Sequence, residues 1–251
     1  MISFNPNDKK ENYLNSIKNL ETLFLDFDGT LVDYKQSQDK SLEILLQENN
    51  VPTDKIAEAI EFYKEVNDDL WNKFEKKEIT IPEIRVIRFQ KLMDKFNFTG
   101  QPLALNDTYI DNFIKNTELE DQYYNYLKKL KQLQVNVIIV TNGAELIQNK
   151  RVDKIAIRDL IDGMVTSEGT GFPKPDTQIF EIANTISKTN KENIWMVGDS
   201  FEADIVGANS YGIKSCYISS NGNLTHNSNV IPNITTSALY HFLELIIQVK
   251  S

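Results

Sequence analysis

The chain has 251 residues, 41% of them hydrophobic and 25% charged, which is enough to fill one ordinary domain and a smaller second one. Its 27 Lys and Arg against 36 Asp and Glu give a formal charge of −9, which speaks against binding to nucleic acid polymers or anionic membranes. The single Cys216 excludes an internal disulfide framework and fits a reducing cytoplasm, and no apolar run reaches membrane-spanning length. The polar, mixed-charge start, residues 1–15, lacks a signal-peptide pattern, so a cytoplasmic protein is expected.

The first apolar run, residues 22–27, reads as a buried strand and delivers Asp26-Phe27-Asp28-Gly29-Thr30. Two carboxylates two positions apart then sit where a strand gives way to a turn marked by Gly29. Such a pair is costly unless something uses the negative charge, and Mg²⁺ is a common user. Asp26 fits a nucleophile that attacks phosphorus, and Asp28 fits the general acid and base of the same reaction. Capping of the strand end is the alternative, because Asp-Gly is also an ordinary turn signal.

Helical patterns follow at residues 38–50, 53–77, 81–96, 107–115 and 120–134, with no convincing strand among them. One crossover between parallel strands needs far fewer residues. Residues 36–118 are therefore expected to form an inserted all-helical cap domain, with 1–35 and 119–251 as the core.

Four more strands are predicted at 135–141, 163–167, 194–198 and 215–218. None alternates strictly, which indicates burial on both faces. A helix capped by Asp176, with Ile179, Ile182, Ala183 and Ile186 on one face, lies between two of them. Strands alternating with helices predict an α/β core with a doubly wound parallel sheet, Rossmann-like, whose ligands bind at the carboxyl ends of the strands.

Those ends carry the remaining chemistry. Thr141-Asn142-Gly143 offers a hydroxyl and backbone N–H groups to a phosphate, although a strand-to-helix cap reads the same way. Lys174, between Pro173 and Pro175, can neutralise the nucleophile and the transferring group, or be a solvated side chain. Gly198-Asp199-Ser200 and Asp204 bring two further acids. Asp199 is expected to complete a Mg²⁺ site with the Asp26 carboxylate and the Asp28 carbonyl, or to cap the next helix, while Asp204 is expected to support the site through water or Lys174. The polar stretch 219–229 is expected to be a loop, and neither His226 nor His241 is given a role.

Taken together, these segments resemble the four signature motifs of the haloacid dehalogenase-like hydrolase superfamily over nearly the whole chain. The resemblance implies Asp26 as nucleophile, Asp28 as acid/base, Thr141 and Lys174 as phosphate binders, Asp199 as a Mg²⁺ ligand, and the helical-cap subclass. It also implies that Asp28 disfavours carbon–halogen cleavage, since dehalogenases of this family lack an acid there. Within the insert, Val66-Asn67-Asp68-Asp69-Leu70-Trp71, Glu78-Ile79-Thr80 and Arg88-Phe89 look like the bacterial pyrimidine 5′-nucleotidase branch. That likeness makes Asn67, Trp71, Arg85 and Arg88 candidates for a base or sugar, whereas Trp71 and Phe89 can equally pack the helices of the insert. The implied activity is hydrolysis of a small phosphorylated metabolite, a nucleoside 5′-monophosphate above others. A sugar-phosphate or phosphoglycolate phosphatase, a phosphomutase, a phospho-Asp signalling domain and a non-catalytic binding protein are the rivals.

Overall fold

A computed structural model describes residues 2–219 and 229–251. In chain order the elements are β1 (Ile2–Phe4), α1 (Lys10–Lys18), β2 (Thr22–Leu25), α2 (Tyr34–Glu48), α3 (Thr53–Glu75), α4 (Ile81–Phe96), α5 (Pro102–Lys115), α6 (Asp121–Gln132), β3 (Asn136–Thr141), α7 (Glu145–Lys154) and β4 (Gly163–Thr166). The short α8 (Ser167–Thr170), α9 (Thr177–Ser187), β5 (Ile194–Gly198), α10 (Gly207–Tyr211), β6 (Lys214–Ile218), β7 (Ile234–Thr236) and α11 (Leu239–Lys250) complete the chain.

Leu23, Phe24 and Leu25 of β2 have no solvent exposure at all, so this strand must lie inside the sheet. It does: the seven strands run in the order β1-β7-β6-β5-β2-β3-β4, and every pairing is parallel except β1 with β7. Leu25 stands opposite Ile139 on one side and Val197 on the other, so the chain leaves β2, β3 and β5 at nearly one level. One face of the sheet packs Phe24, Ile138, Val140 and Met196 against Ile179, Phe180 and Ala183 of α9. This is the doubly wound α/β core anticipated from the sequence.

The five predicted strands all form, with ends shifted by two residues or fewer. Strand β2 stops at Leu25 rather than at residue 27, because Phe27 turns its carbonyl to the N–H groups of Leu31 and Val32. Strands β1 and β7 were not anticipated: at three residues each they are too short for a periodicity to register. Residues 220–228, with His226 among them, lie outside the described residues, and His241 falls in α11.

The chain divides into two compact units, one of residues 1–32, 119–145 and 155–251, the other of residues 33–118 and 146–154. The second is all helical. Asp33 opens α2 by accepting from the Gln36 N–H at 2.9 Å, and Thr80 with Glu83 forms a capping box at the start of α4. Its core gathers Leu42, Leu45 and Leu46 of α2, Tyr63 of α3, Phe89 and Leu92 of α4, and Tyr109 and Phe113 of α5. Most of α7 belongs here rather than with the sheet. Ile147 packs on the same core, and Arg151 donates from Nε to Thr117 Oγ1 at 2.9 Å with its guanidinium 4.2 Å from the Phe113 ring centre.

Arg88, only 5% exposed, runs through the middle of this core. Its Nη1 donates to Asn67 Oδ1 at 3.2 Å and its Nη2 to Asn106 Oδ1 at 2.5 Å. The rings of Tyr63, Phe89 and Tyr109 surround the guanidinium at 5.8, 5.4 and 5.0 Å. Among the described residues no carboxylate pairs with it, so aromatic faces and amide oxygens carry the whole compensation of a buried charge. Asn67 extends the network to the Tyr34 hydroxyl at 3.0 Å, which Gln38 also reaches at 2.7 Å, so one cation links α2, α3, α4 and α5. Arg88→Ala leaves a cavity and two stranded amide oxygens, and should cost about 3–5 kcal/mol in urea unfolding followed by circular dichroism.

Candidate active site

Asp26 is the first residue beyond β2 and is 6% exposed. Its N–H donates to the Val197 carbonyl at 3.0 Å, which carries the strand pairing one step past the end of the strand. The chain then closes a tight loop in which Gly29 donates to Val32 O at 3.0 Å with φ +83°, a value that L side chains rarely adopt. A methyl group on Gly29 would stand 2.3 Å from Asp199 Oδ2. The bare backbone therefore lets Asp199 approach the acid loop, where Thr30 Oγ1 donates to Asp199 Oδ1 at 3.4 Å.

Lys174 is 2% exposed and its ammonium bridges two buried acids, Asp26 Oδ1 at 2.7 Å and Asp204 Oδ1 at 2.6 Å. Asp204 is fully buried on a π-helical turn, Phe201–Val206, and its other oxygen accepts the Ser200 N–H at 3.0 Å. That turn folds back so closely on β5 that a methyl group on Gly198 would meet Asp204 Oδ2 at 2.0 Å. π-Helical turns of this kind concentrate at functional sites.

The third strand end is held as firmly. Thr141 pairs in register with Thr166, and its hydroxyl oxygen accepts the Gly143 N–H at 3.1 Å. The Asn142 carboxamide accepts the Lys174 N–H at 2.7 Å and donates to the Lys174 carbonyl at 3.0 Å, while the Asn142 carbonyl accepts Ser167 Oγ at 2.8 Å.

These acids crowd one another. Burial pushes the Asp26 carboxyl up to about 7 against the pull of Lys174, with Asp204 and Asp28 adding to the rise. Burial likewise lifts Asp204 to about 6, which Lys174 opposes. Asp199 stays open to solvent on one side, and partial loss of water with the Asp26 charge beside it raises its carboxyl too. Burial alone would lower Lys174, but the Asp204 and Asp26 charges outweigh it, and the ammonium stays protonated well above its ordinary range. One ligand atom from each of Asp26, Asp199 and Asp204 lies within 4.8 Å of the others. An all-carboxylate set whose protonation is raised by burial, with mutual repulsion adding to it, suits a hard divalent cation. Both Asp204 oxygens already have donors, so Asp26 and Asp199 are the better placed ligands.

The structure thus brings Asp26, Lys174 and Asp199 together, as the sequence suggested, and puts Asp204 in direct contact with Lys174. Asn67 and Arg88 also meet, but inside the helical unit, where Asn67 is 1% exposed. Trp71 is half-buried and meets Phe74 edge-on at 5.5 Å, and Phe89 lies fully in the helical core. Sequence reasoning gave no role to Thr30, Ser167 or Ser200. The signal for Ser200 was present, since a hydroxyl three residues before Ala203 can accept its N–H, as it does at 3.2 Å.

The haloacid dehalogenase-like hydrolase family matches residues 23–218. YfnB of Bacillus subtilis, placed among the HAD hydrolases by name, is 28% identical over 91% of this chain and 97% of its own. The YfnB crystal structure bound to magnesium gives a TM-score of 0.79 at 26% identity, covering 90% of this chain and 98% of that one. Two pyrimidine 5′-nucleotidases are also similar. YjjG of Escherichia coli is 27% identical over 76% of this chain and 83% of its own, and PynA of Streptococcus pneumoniae 29% over 78% and 82%.

Gly29→Ala should destabilise the protein by about 1–2 kcal/mol through the left-handed backbone alone, and should weaken Mg²⁺ binding in calorimetry by pushing Asp199 away. The raised carboxyls of Asp26 and Asp204 also set a sign for stability. Between the ordinary 3.8 and about 7 the folded state holds protons that the unfolded state releases, so metal-free protein loses stability as pH rises through that window. Melting in chelator should show this fall in Tm, and Asp26→Asn should flatten it.

Proposed function

Because the chain belongs to the haloacid dehalogenase-like hydrolases, we propose that it is a Mg²⁺-dependent phosphomonoester hydrolase acting through an aspartyl-phosphate, with nucleoside 5′-monophosphates as its substrates. The observation that carries this reading is the buried ammonium of Lys174 bonded to both Asp26 and Asp204, with a second acid, Asp28, two residues beyond the first. The names of YjjG and PynA support the choice of nucleotide, as do the insert residues that resemble that branch.

In this reading Lys174 fixes the orientation of the Asp26 carboxylate through Oδ1. An Asp26 oxygen forms a bond to phosphorus as the bond to the ester oxygen breaks, and Asp28 gives its proton to the departing alkoxide. Water then attacks the phosphoryl group while Asp28 takes its proton, and the Asp26 carboxylate leaves. Little covalent work falls to the protein in such a transfer, so positioning and charge dominate. The Thr141–Gly143 loop and Lys174 hold the equatorial oxygens. Mg²⁺ would be held by Asp26, Asp199 and the Asp28 carbonyl, and would supply positive charge against the crowded carboxylates and the phosphoryl group; the similar YfnB was solved bound to magnesium. Within the helical unit, Asn67 and Arg88 hold in place the helix that carries the partly accessible Trp71.

A phosphate-release screen over nucleotides, sugar phosphates and phosphoglycolate, with and without Mg²⁺, tests the reading. Turnover should require Mg²⁺ and be fastest with pyrimidine monophosphates. Asp26→Asn should abolish it while the protein remains folded. Asp28→Asn should cost about 10²–10⁴-fold with ribose esters, and much less with a nitrophenyl ester whose leaving group needs no proton. Normal turnover by Asp26→Asn would rule out the covalent route.

A further inference from the structure

Lys174 sits in a stretch that is neither helix nor strand, between Pro173 and Pro175. A lysine has four rotatable side-chain bonds, and ordering one costs up to about 2 kcal/mol. An ammonium that must meet two carboxylates at once therefore needs a backbone that does not drift. Proline on either side limits drift but supplies no anchor to the sheet.

The anchor is one side chain. Lys174 N–H donates to Asn142 Oδ1 at 2.7 Å, and Lys174 O accepts from Asn142 Nδ2 at 3.0 Å. These are the only hydrogen bonds of the Lys174 backbone among the described residues. A carboxamide copies a peptide group, with one acceptor and donors side by side, so Asn142 pairs with Lys174 as a neighbouring strand would. Its own main chain is fixed in turn: it follows Thr141 at the end of β3, and its carbonyl accepts from the buried Ser167 at 2.8 Å. A chain of contacts thus runs from β3 and β4 through Ser167 and Asn142 to the Lys174 backbone, and from its ammonium to Asp26 and Asp204.

We propose that Asn142 is a positioning residue for Lys174, acting on the reaction through the placement of that ammonium rather than through contact of its side chain with substrate. The inference rests on the hydrolase reading for its kinetic consequence and on geometry alone for the tie. Residue chemistry makes it specific. Aspartate lacks the donor, serine and threonine offer a single short atom, and glutamine carries the amide one carbon too far.

The test uses the full chain. In a crystal structure of Asn142→Ala, Lys174 Nζ should leave at least one of its two carboxylates. A shift of about 1 Å in a charge-stabilising group costs on the order of 10²-fold. Turnover by Asn142→Ala should accordingly fall in kcat by about 10- to 100-fold, with KM within about threefold of wild type. In a Lys174→Met background the same change should alter the residual rate by less than about twofold, because the partner it acts through is gone. Two results overturn the proposal: a Lys174 that keeps both carboxylate bonds in Asn142→Ala, or an Asn142→Ala loss of equal size in the Lys174→Met background. Should Asn142→Ala fail to fold, Asn142→Ser carries the same measurements. If wild-type protein hydrolyses no phosphomonoester, the hydrolase reading falls, and the crystal structure still decides whether Asn142 holds Lys174.

Discussion

One buried cation shared by two buried carboxylates organises this protein. Lys174, Asp26 and Asp204 come from three distant parts of the chain and meet with 2.7 and 2.6 Å contacts where almost no water reaches. Removing three charges from water costs several kcal/mol per ion, and their mutual attraction returns that only with excellent geometry. A hydrophobic trio would hold the sheet at least as well. The group carries net negative charge, and its carboxyls are pushed towards neutrality by burial. Such an arrangement makes sense where a positive partner and a phosphoryl group arrive together.

The rest of the site follows from keeping these charges close. Parallel pairing sets Leu25, Ile139 and Val197 side by side, so Asp26 and the residues just past β3 and β5 leave the sheet at one level. Two glycines then remove the side chains that would keep the acids apart. Gly29 admits Asp199 to the acid loop, and Gly198 admits Asp204 to the end of β5. Backbone economy at two points thus brings the acids together, and their mutual repulsion adds to the rise that burial gives their carboxyls.

The core of this arrangement was legible in the sequence because each part of it is short in range. An apolar run without alternation marks a buried parallel strand, and an acid, a hydroxyl or a lysine just beyond it marks a strand end. Contacts that join different strand ends leave no periodic trace. Nothing local says that the Asn142 amide turns to Lys174 rather than to a ligand, or whether Asp204 meets Lys174 directly or the site through water. Arg88 shows the same limit in the helical unit. Its likeness to the nucleotidase branch makes it a candidate for a base or sugar contact, whereas its partners are amides and rings on neighbouring helices.

The helix α7 is the clearest case of tertiary context overriding pattern. By order it is the crossover between β3 and β4 and should cover the sheet. Its sequence is a weak guide, since Leu146 is 65% exposed and most of its other residues are polar. Burial of Arg151 against Phe113, together with its bond to Thr117, draws residues 146–154 into the helical unit. The chain consequently passes between the two units at residues 32/33, 118/119, 145/146 and 154/155 rather than only at the two ends of an insertion. Within the sheet unit, the turn that carries Thr141 and Asn142 is held by the Thr141 hydroxyl, which accepts the Gly143 N–H, and by the Asn142 carbonyl, which accepts from Ser167. A turn fixed by side chains of its own unit keeps its backbone N–H groups in place without help from a ligand, which is the condition electrostatic preorganisation requires.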